Sequence, residues 1–261
     1  HALATAIYAH KVGLQSTSML MPQPNAHYVR RNLLASHYFN AELRYYANLA
    51  LLVLEILPLR LRGKLKSGVF PRLIPAGGSC PLGVTGYVNA ALELKEQVAA
   101  GELPEPDVIY VPLGSMGTSA GLLLGLRAAG IRSQVIAVRV IEEDVANAGK
   151  TLRLLRDTSV FLHKLDPSFP DITPSVDDLV VRNDHLGNGY AHFTEEGVRA
   201  AELMSRKAGI VLNGAYSAKA FSALLDDANR GALKDKTILF WNTYNSRDLS
   251  SIAAGVDHHH L

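Results

Sequence analysis

The chain has 261 residues, of which 48% are hydrophobic and 19% charged, and its formal net charge is +2. This composition is ordinary for a globular protein, and the balanced charge argues against a nucleic-acid partner. Cys80 is the only cysteine, which excludes an intramolecular disulfide and favours a reducing cytoplasm. The most apolar run, residues 49–59, carries Glu55 and Pro58 and is too short to span a bilayer, so we expect no membrane contact.

Predicted helices and short apolar strands alternate along the chain. Helices are predicted from the first residue to near Gly13, at 25–39, 87–101, 147–157 and 194–209, and after the small-residue loop up to about residue 130; the segment 213–231 is predicted to be a loop followed by a helix. Strands are predicted at 15–21, 106–114, 133–141 and 236–244, and the segment 176–192 is predicted to be a strand followed by a loop. The helix after 194 has clear end signals, because Thr194 is a good N-cap and Gly209 a good C-terminal stop.

This alternation predicts an α/β fold with parallel sheets. The segment 71–83 is rich in Pro and Gly and is the best candidate for a crossing between domains. We therefore expect two open-sheet domains, a small one at 1–72 and a large one at 73–261, with the functional site in the cleft between them. The histidines at 258–260 are interpreted as a solvated tail, and no metal site is predicted.

The stretch VPLGSMGTSAGLLLGLRAAG, residues 111–130, joins a predicted strand to a predicted helix through small residues. Backbone N–H groups of Gly114, Ser115, Met116, Gly117 and Thr118 can converge there on an anion at the helix N-terminus. The stretch lacks the Gly-Lys-Ser/Thr ending of a nucleoside-triphosphate loop and fits a dinucleotide fingerprint badly. Two interpretations stay open, a phosphate site and a tight turn that allows close packing.

Five segments occur in an order that is typical of one enzyme family: HALATAIYAHKVGL, IPAGGSCPLGVTGYVNAALEL, GSMGTSAGL, GNGYAHFTEEG and GIVLNGAYSAKAFSALL. With these segments the chain resembles the fold-type-II pyridoxal-phosphate enzymes. It is most similar to the 1-aminocyclopropane-1-carboxylate deaminase and D-cysteine desulfhydrase family. The resemblance implies a fold like that of the tryptophan synthase beta chain, pyridoxal 5′-phosphate as cofactor, a small amino acid as substrate and a homodimer. It also implies that Gly114 to Thr118 hold the cofactor phosphate.

The resemblance also implies a Schiff-base lysine upstream of a Ser-Asn-His segment. His1 matches the last residue of that segment, so we expect the lysine to lie before the sequence given. The first predicted helix begins without a cap, which favours the same expectation. Lys219 matches a different family lysine, one that does not form the Schiff base, and is interpreted as an ordinary lysine in the first turn of a helix.

Tyr216 matches a family tyrosine near the substrate and is the predicted catalytic residue, although a tyrosine packed at a loop corner is the open alternative. Ser217 follows it, and the resemblance implies that this position faces the pyridine nitrogen of the cofactor. The deaminase branch has an acid there and the desulfhydrase branch a hydroxyl, so Ser217 favours elimination of a good β leaving group. Ala218 replaces a family glycine.

Thr243 is the remaining predicted cofactor-binding residue. The family has two glycines after it, and Tyr244 and Asn245 replace them here, which predicts a narrower pocket. The sequence does not distinguish between two positions for Tyr190, one that faces the site and one in the core.

The sequence therefore predicts a lyase or deaminase that releases a 2-oxo acid and ammonia, most similar to D-cysteine desulfhydrase. The alternatives are an aminocyclopropane-carboxylate deaminase and a degenerate binding protein that has kept the fold.

Overall fold

The structure, a computed structural model, describes residues 1–245 and 247–254. The helices of these residues are α1 (Ala2–Lys11), α2 (His27–Tyr38), α3 (Leu49–Ser67), α4 (Pro81–Ala99), α5 (Gly117–Ala128), α6 (Ala148–Leu165), α7 (Glu195–Ala208), α8 (Ser217–Asn229) and α9 (Ser250–Ala254). The strands are β1 (Thr17–Leu20), β2 (Glu42–Tyr45), β3 (Val108–Leu113), β4 (Gln134–Arg139), β5 (Leu179–Arg182) and β6 (Ile238–Phe240). The histidines predicted to form a solvated tail lie outside the described residues.

The chain divides into two compact units, and each has a sheet of its own. The first unit contains His1–Gly77 and the described residues from Arg247 onward, and its sheet pairs β1 with β2. The second begins at Gly78 and carries the strand order β5-β4-β3-β6. Every pairing in both sheets is parallel, which confirms the α/β class. The predicted domain boundaries and the predicted cleft between the domains stay predictions.

The second unit is built around β3 and α5. All six residues of β3 are buried, as expected for a central parallel strand that is covered on both faces. A cluster of buried apolar side chains from α4, α5 and α6 packs on the sheet, and a second cluster includes Ala220 and Ala223 of α8. Because the strands are parallel, their carboxyl ends meet at one edge of the sheet. This edge is where open α/β sheets bind ligands.

Helices α4 and α5 approach each other closely because α5 has glycine where it faces α4. A β-carbon on Gly121 would lie 2.5 Å from the β-carbon of Tyr87, and one on Gly125 would lie 2.5 Å from the carbonyl oxygen of Val88. Real β-carbons essentially never make contacts this short. The two glycines, one helical turn apart, thus allow the backbones to pack almost directly against each other.

The structure differs from the sequence expectation in two regions. Helix α4 begins at Pro81, six residues earlier than predicted, because proline is well placed in the first turn of a helix. Strand β2 and helix α3 were not predicted; α3 begins where the side chain of Asn48 accepts the N–H of Leu51. Among the described helices, none combines the length and the apolar character needed to cross a membrane.

Candidate functional site

The predicted anion loop, Gly114–Thr118, lies between β3 and α5. Leu113 ends the strand, and Gly117 is the first residue of the helix. At the start of a helix the first N–H groups have no acceptor within the helix, so those of Gly117, Thr118 and Ser119 point out of the N-terminus. The helix dipole adds a partial positive charge at the same point. The local geometry is therefore suited to an anion.

Met116 is the N-cap of α5 and has a left-handed backbone conformation, with φ of 70°. Because a side chain crowds the neighbouring carbonyl in this conformation, a residue other than glycine is strained here by about 1 kcal/mol. The side chain of Met116 packs against the core of the unit, which helps to hold the loop in place.

Tyr216 lies against the anion loop. A β-carbon on Gly114 would lie 3.0 Å from Cε1 of the Tyr216 ring, so a larger residue at 114 would push the ring away. Tyr216 is also the N-cap of α8, so the start of α8 lies beside the anion loop. The structure thus brings together two predicted elements of the site that are about 100 residues apart in sequence.

Tyr190 belongs to the same group of side chains. Its hydroxyl oxygen lies 2.5 Å from that of Tyr216, and the two rings meet edge to face with centroids 5.9 Å apart. Its backbone N–H donates to the carboxylate of Glu142, which follows β4. This carboxylate also accepts its own backbone N–H, and the two bonds lower the pKa of Glu142. Sequence reasoning left Tyr190 open between site and core; the structure pairs its phenol with that of Tyr216.

Gly189 makes room for this arrangement. A β-carbon at this position would lie 2.9 Å from Oε1 of Glu142, and φ is +113°, a conformation that side chains rarely adopt. Gly189, the second glycine of the GNGY segment, is thus favoured by its backbone conformation, and a side chain there would also displace the carboxylate of Glu142.

Lys219 fixes the same loop from its other side. The residue is fully buried, and its Nζ donates to the carbonyl oxygens of Leu186, at 2.7 Å, and Gly189, at 3.2 Å. Burial lowers the pKa of this ammonium, and the charge of Glu142 opposes that shift. Sequence reasoning interpreted Lys219 as an ordinary first-turn lysine. The structure instead gives it the task of holding the loop that carries Tyr190.

Ser217 is fully buried at the start of α8. Its Oγ accepts the backbone N–H of Asn213 at 2.8 Å. A hydroxyl has one proton to donate, and accepting a hydrogen bond leaves that proton available. Ser217 is therefore able to act as a donor toward a further acceptor.

Thr243 follows β6, the strand next to β3 in the sheet. The register pairs Tyr110 with Phe240, so the chain after β6 leaves the sheet at the same edge as the anion loop. Thr243 and Tyr244 are half-buried, and the N–H of Tyr244 bonds to the side chain of Asn242. The topology places Thr243 at this edge; its predicted role toward a cofactor stays a prediction.

Two hydroxyl groups that sequence reasoning did not select are unpaired near the anion loop. Ser79 and Ser119 each have a buried Oγ with no hydrogen-bond partner among the described residues. Ser119 lies in the first turn of α5 and is 1% exposed. Ser79 lies opposite Gly117, where a β-carbon would be only 2.9 Å from its Oγ. Buried donors without acceptors are rare in proteins, so these groups fit a site whose acceptor is supplied by a ligand.

A separate cavity of about 530 Å³ is lined by residues of α7 and α8 and by the chain after β5. It contains Asp184, His185 and Asp226, whose ligand atoms are close enough to hold a metal ion. The guanidinium of Arg182, however, already lies 2.6 Å from Asp184 and 3.4 Å from Asp226. Its hydrogen bonds lower the pKa of Asp184 to about 2. Ion pairing thus accounts for this cluster.

A family comparison agrees with the geometry of the loop and the sheet edge. The model of the family described as "Pyridoxal-phosphate dependent enzyme" matches residues 1–243. The chain therefore belongs to this family, and its cofactor is pyridoxal 5′-phosphate. The residues present fit that group, because the N–H groups of the anion loop and of the first turn of α5 suit a phosphate, and the buried hydroxyl of Ser119, next to the loop, has no partner among the described residues.

Solved structures show the same fold. A protein described as an "ACC deaminase homologue" has a TM-score of 0.75 and 27% identity; the match covers 93% of this chain and 70% of that one. A threonine deaminase from T.th. has a TM-score of 0.60 and 18% identity over 95% of this chain and 75% of that one. An L-serine ammonia-lyase from Rhizomucor miehei has a TM-score of 0.58 and 17% identity over 96% and 76%, respectively. The last two similarities concern the fold alone.

Proposed function

We propose that the protein is a pyridoxal-phosphate-dependent lyase that removes a β substituent from a small amino acid, with D-cysteine as the leading substrate. A proton leaves the α-carbon, a thiolate leaves the β-carbon, and hydrolysis of the remaining fragment yields a 2-oxo acid and ammonia. The bound cofactor supplies the electron sink for these steps. The similarity to an ACC deaminase homologue supports a lyase or deaminase that acts on a small amino acid, without distinguishing between these two reactions.

The residues of the second unit have distinct tasks in this proposal. Ser115 to Thr118 hold the cofactor phosphate through backbone N–H groups and hydroxyl groups. The phenol of Tyr216 holds or moves a proton beside the reacting carbon, and the hydroxyl of Tyr190 lies 2.5 Å away to exchange it. Lys219 and Glu142 keep the loop of Tyr190 in position through the hydrogen bonds described above.

The observation that carries the substrate class is the hydrogen bond that Ser217 accepts from Asn213. It leaves Ser217 with a hydroxyl proton to donate, so Ser217 would hold the pyridine nitrogen of a bound cofactor by donating a hydrogen bond to it. A serine is far too weak an acid to keep that nitrogen protonated, as a carboxylate does. The cofactor is then a weaker electron sink, which suits loss of a thiolate better than the opening of a cyclopropane ring.

Two alternatives have specific support. Aminocyclopropane-carboxylate deamination is favoured by the 27% identity to the ACC deaminase homologue. A degenerate binding protein is favoured by Tyr244 and Asn245, which stand where the family has glycines, and by Ala218, which is fully buried in place of another glycine.

The test measures 2-oxo acid release by the full-length protein from D-cysteine, L-cysteine, D-serine and aminocyclopropane carboxylate. We expect D-cysteine to be turned over fastest, Ser217→Thr to retain this preference because it keeps the hydroxyl, and Ser217→Glu to lose it. Fastest turnover of aminocyclopropane carboxylate by the wild type would support the deaminase instead. No turnover of any substrate would support the binding protein.

Lys219 is proposed not to form the Schiff base with the cofactor. Borohydride reduction of the full-length protein with its cofactor should therefore leave Lys219 unlabelled, because its Nζ is already bonded to two carbonyl groups. Stoichiometric label on Lys219 would contradict this assignment.

A homodimer in the cytoplasm completes the proposal. Helix α3 leaves large apolar side chains exposed, including Leu54 at 72% and Leu65 at 87%, and exposed apolar surface of this kind is typical of protein interfaces. The single cysteine is typical of a reducing compartment. Analytical ultracentrifugation of the full-length protein tests the dimer, and a monomer at micromolar concentration would contradict it.

A further inference from the structure

We propose that Ser79 binds the cofactor phosphate, so that the phosphate site has donors from two helix N-termini rather than from the anion loop alone. This inference rests on the proposed function, in which the phosphate lies at Gly114–Thr118. Ser79 is far from that loop in sequence, and none of its neighbours forms a recognised phosphate motif. Three observations support it: the packing of α4 on α5, the backbone before α4, and the state of the Ser79 hydroxyl.

The contacts of the glycines in α5 show how α4 and α5 are aligned. Gly117, Gly121 and Gly125 recur every four residues and so lie along one face of α5. β-carbons on them would meet, in order, Ser79, then Val84 and Tyr87, then Val88 and Ala91. The partners rise in sequence together with the glycines, so the two helices run parallel and begin at the same level. Their positive dipole ends therefore lie side by side next to the anion loop.

The backbone before α4 turns Ser79 toward that point. Gly77 and Gly78 both have left-handed conformations, with φ of 66° and 64°, which only glycine adopts without strain. The carbonyl of Gly78 accepts the N–H of Cys80, and it packs so closely on α4 that a β-carbon on Gly83 would lie 2.0 Å from its oxygen. The position of Ser79 is thus fixed by its own chain.

The backbone fixes the position of the Ser79 hydroxyl, but this hydroxyl makes no hydrogen bond to the described residues. Its Oγ is buried and has no hydrogen-bond partner among the described residues, although most serines in such positions bond to a nearby carbonyl. An unpaired buried hydroxyl lowers the stability of the ligand-free protein. A phosphate oxygen is an acceptor of the right kind, and Ser79 packs on Gly117, whose N–H is one of the first-turn donors of α5.

The test compares the affinity of the full-length apoprotein for pyridoxal phosphate and for pyridoxal, which lacks only the phosphate. We expect Ser79→Ala to weaken the binding of pyridoxal phosphate about tenfold, which is the effect of losing one hydrogen bond to a charged group. The affinity for pyridoxal should not change. Binding of inorganic phosphate to the apoprotein, followed by ³¹P NMR, should weaken by a similar factor. The melting temperature of the apoprotein should stay the same or rise, because an unpaired hydroxyl is removed.

Ser133→Ala is the matched control. Ser133 is 1% exposed, and its hydroxyl donates to the carbonyl of Pro106, so its loss should lower the melting temperature and leave both affinities unchanged. Thr118→Ala tests the anion loop itself. If Thr118→Ala weakens the binding of pyridoxal phosphate and Ser79→Ala does not, the role proposed for Ser79 is refuted and the proposed phosphate site is retained. An equal loss of affinity for pyridoxal, or a lower melting temperature in Ser79→Ala, would also overturn the role of Ser79. If neither variant discriminates between the two ligands, the phosphate site itself is misplaced.

Discussion

The close packing of α4 on α5 can be tested with a single methyl group. In Gly125→Ala the new β-carbon would lie 2.5 Å from the carbonyl oxygen of Val88 and 2.6 Å from the β-carbon of Ala91. The first contact is about 0.9 Å shorter than ordinary van der Waals contact, which begins at 3.4 Å. Backbone atoms cannot rotate away, so the helices must separate, at a cost of about 3 kcal/mol. Alanine regains about 1 kcal/mol through its higher helix propensity, which leaves a loss of about 2 kcal/mol.

Gly86→Ala supplies the matched control, because Gly86 also lies inside a helix but has nothing within 4 Å of its β-carbon position. It should raise the free energy of unfolding by about 1 kcal/mol through propensity alone. Thermal unfolding followed by the fluorescence of Trp241, the chain's single tryptophan, reports on the second unit, in which it packs against the core. We expect melting temperatures about 4–8 °C lower for Gly125→Ala and about 2–4 °C higher for Gly86→Ala. Equal stability of the two variants would refute the packing argument.

Three further predictions concern other parts of the second unit. Met116→Val should lower the free energy of unfolding by about 1–2 kcal/mol, because a β-branched side chain fits a left-handed backbone poorly, whereas Met116→Gly should be tolerated; a urea titration compares them. Thr194→Ala should cost about 1 kcal/mol by removing the N-cap of α7, and Thr194→Ser should restore it, measured in the same titration. The pKa of Asp184, lowered to about 2 by Arg182, implies that this ion pair stabilises the fold above pH 4 and is lost as the pH falls toward 2. In Asp184→Asn the free energy of unfolding should therefore fall less steeply between pH 4 and pH 2 than in the wild type. An unchanged pH dependence in this range would contradict the assignment.

Much of the second unit could be predicted from local patterns. The buried run of β3, the small-residue loop after it and the capping signals of α7 are encoded in neighbouring residues, so the sequence indicates them directly. The start of α4 was missed because Pro81 and Gly83 look like loop residues, although proline is favourable at a helix start. The glycine at 83 is explained only by the carbonyl of Gly78 that packs on it.

The parts of the site that depend on tertiary contacts could not be predicted. A serine with an unpaired hydroxyl is identical in sequence to a serine with a partner, so nothing local distinguishes Ser79. The pairing of Tyr190 with Tyr216 joins two loops through their side chains, and the burial of Lys219 depends on carbonyl groups about 30 residues away. Such contacts carry no periodic signal. The glycines spaced every four residues in α5 do indicate that another element packs closely on this helix. They do not indicate which element it is.

The N-terminus of α5 links the lifetime of the protein in a cell to its cofactor. The left-handed Met116 and the unpaired hydroxyl groups of Ser79 and Ser119 raise the free energy of the neighbouring N-termini of α4 and α5 in the ligand-free chain. A phosphate that pairs these hydroxyl groups stabilises the folded form of both N-termini, so occupancy and local opening are coupled by mass action. Newly made chains short of cofactor should therefore be degraded faster by cellular proteases, and the amount of protein in the cell should rise and fall with the vitamin B6 supply.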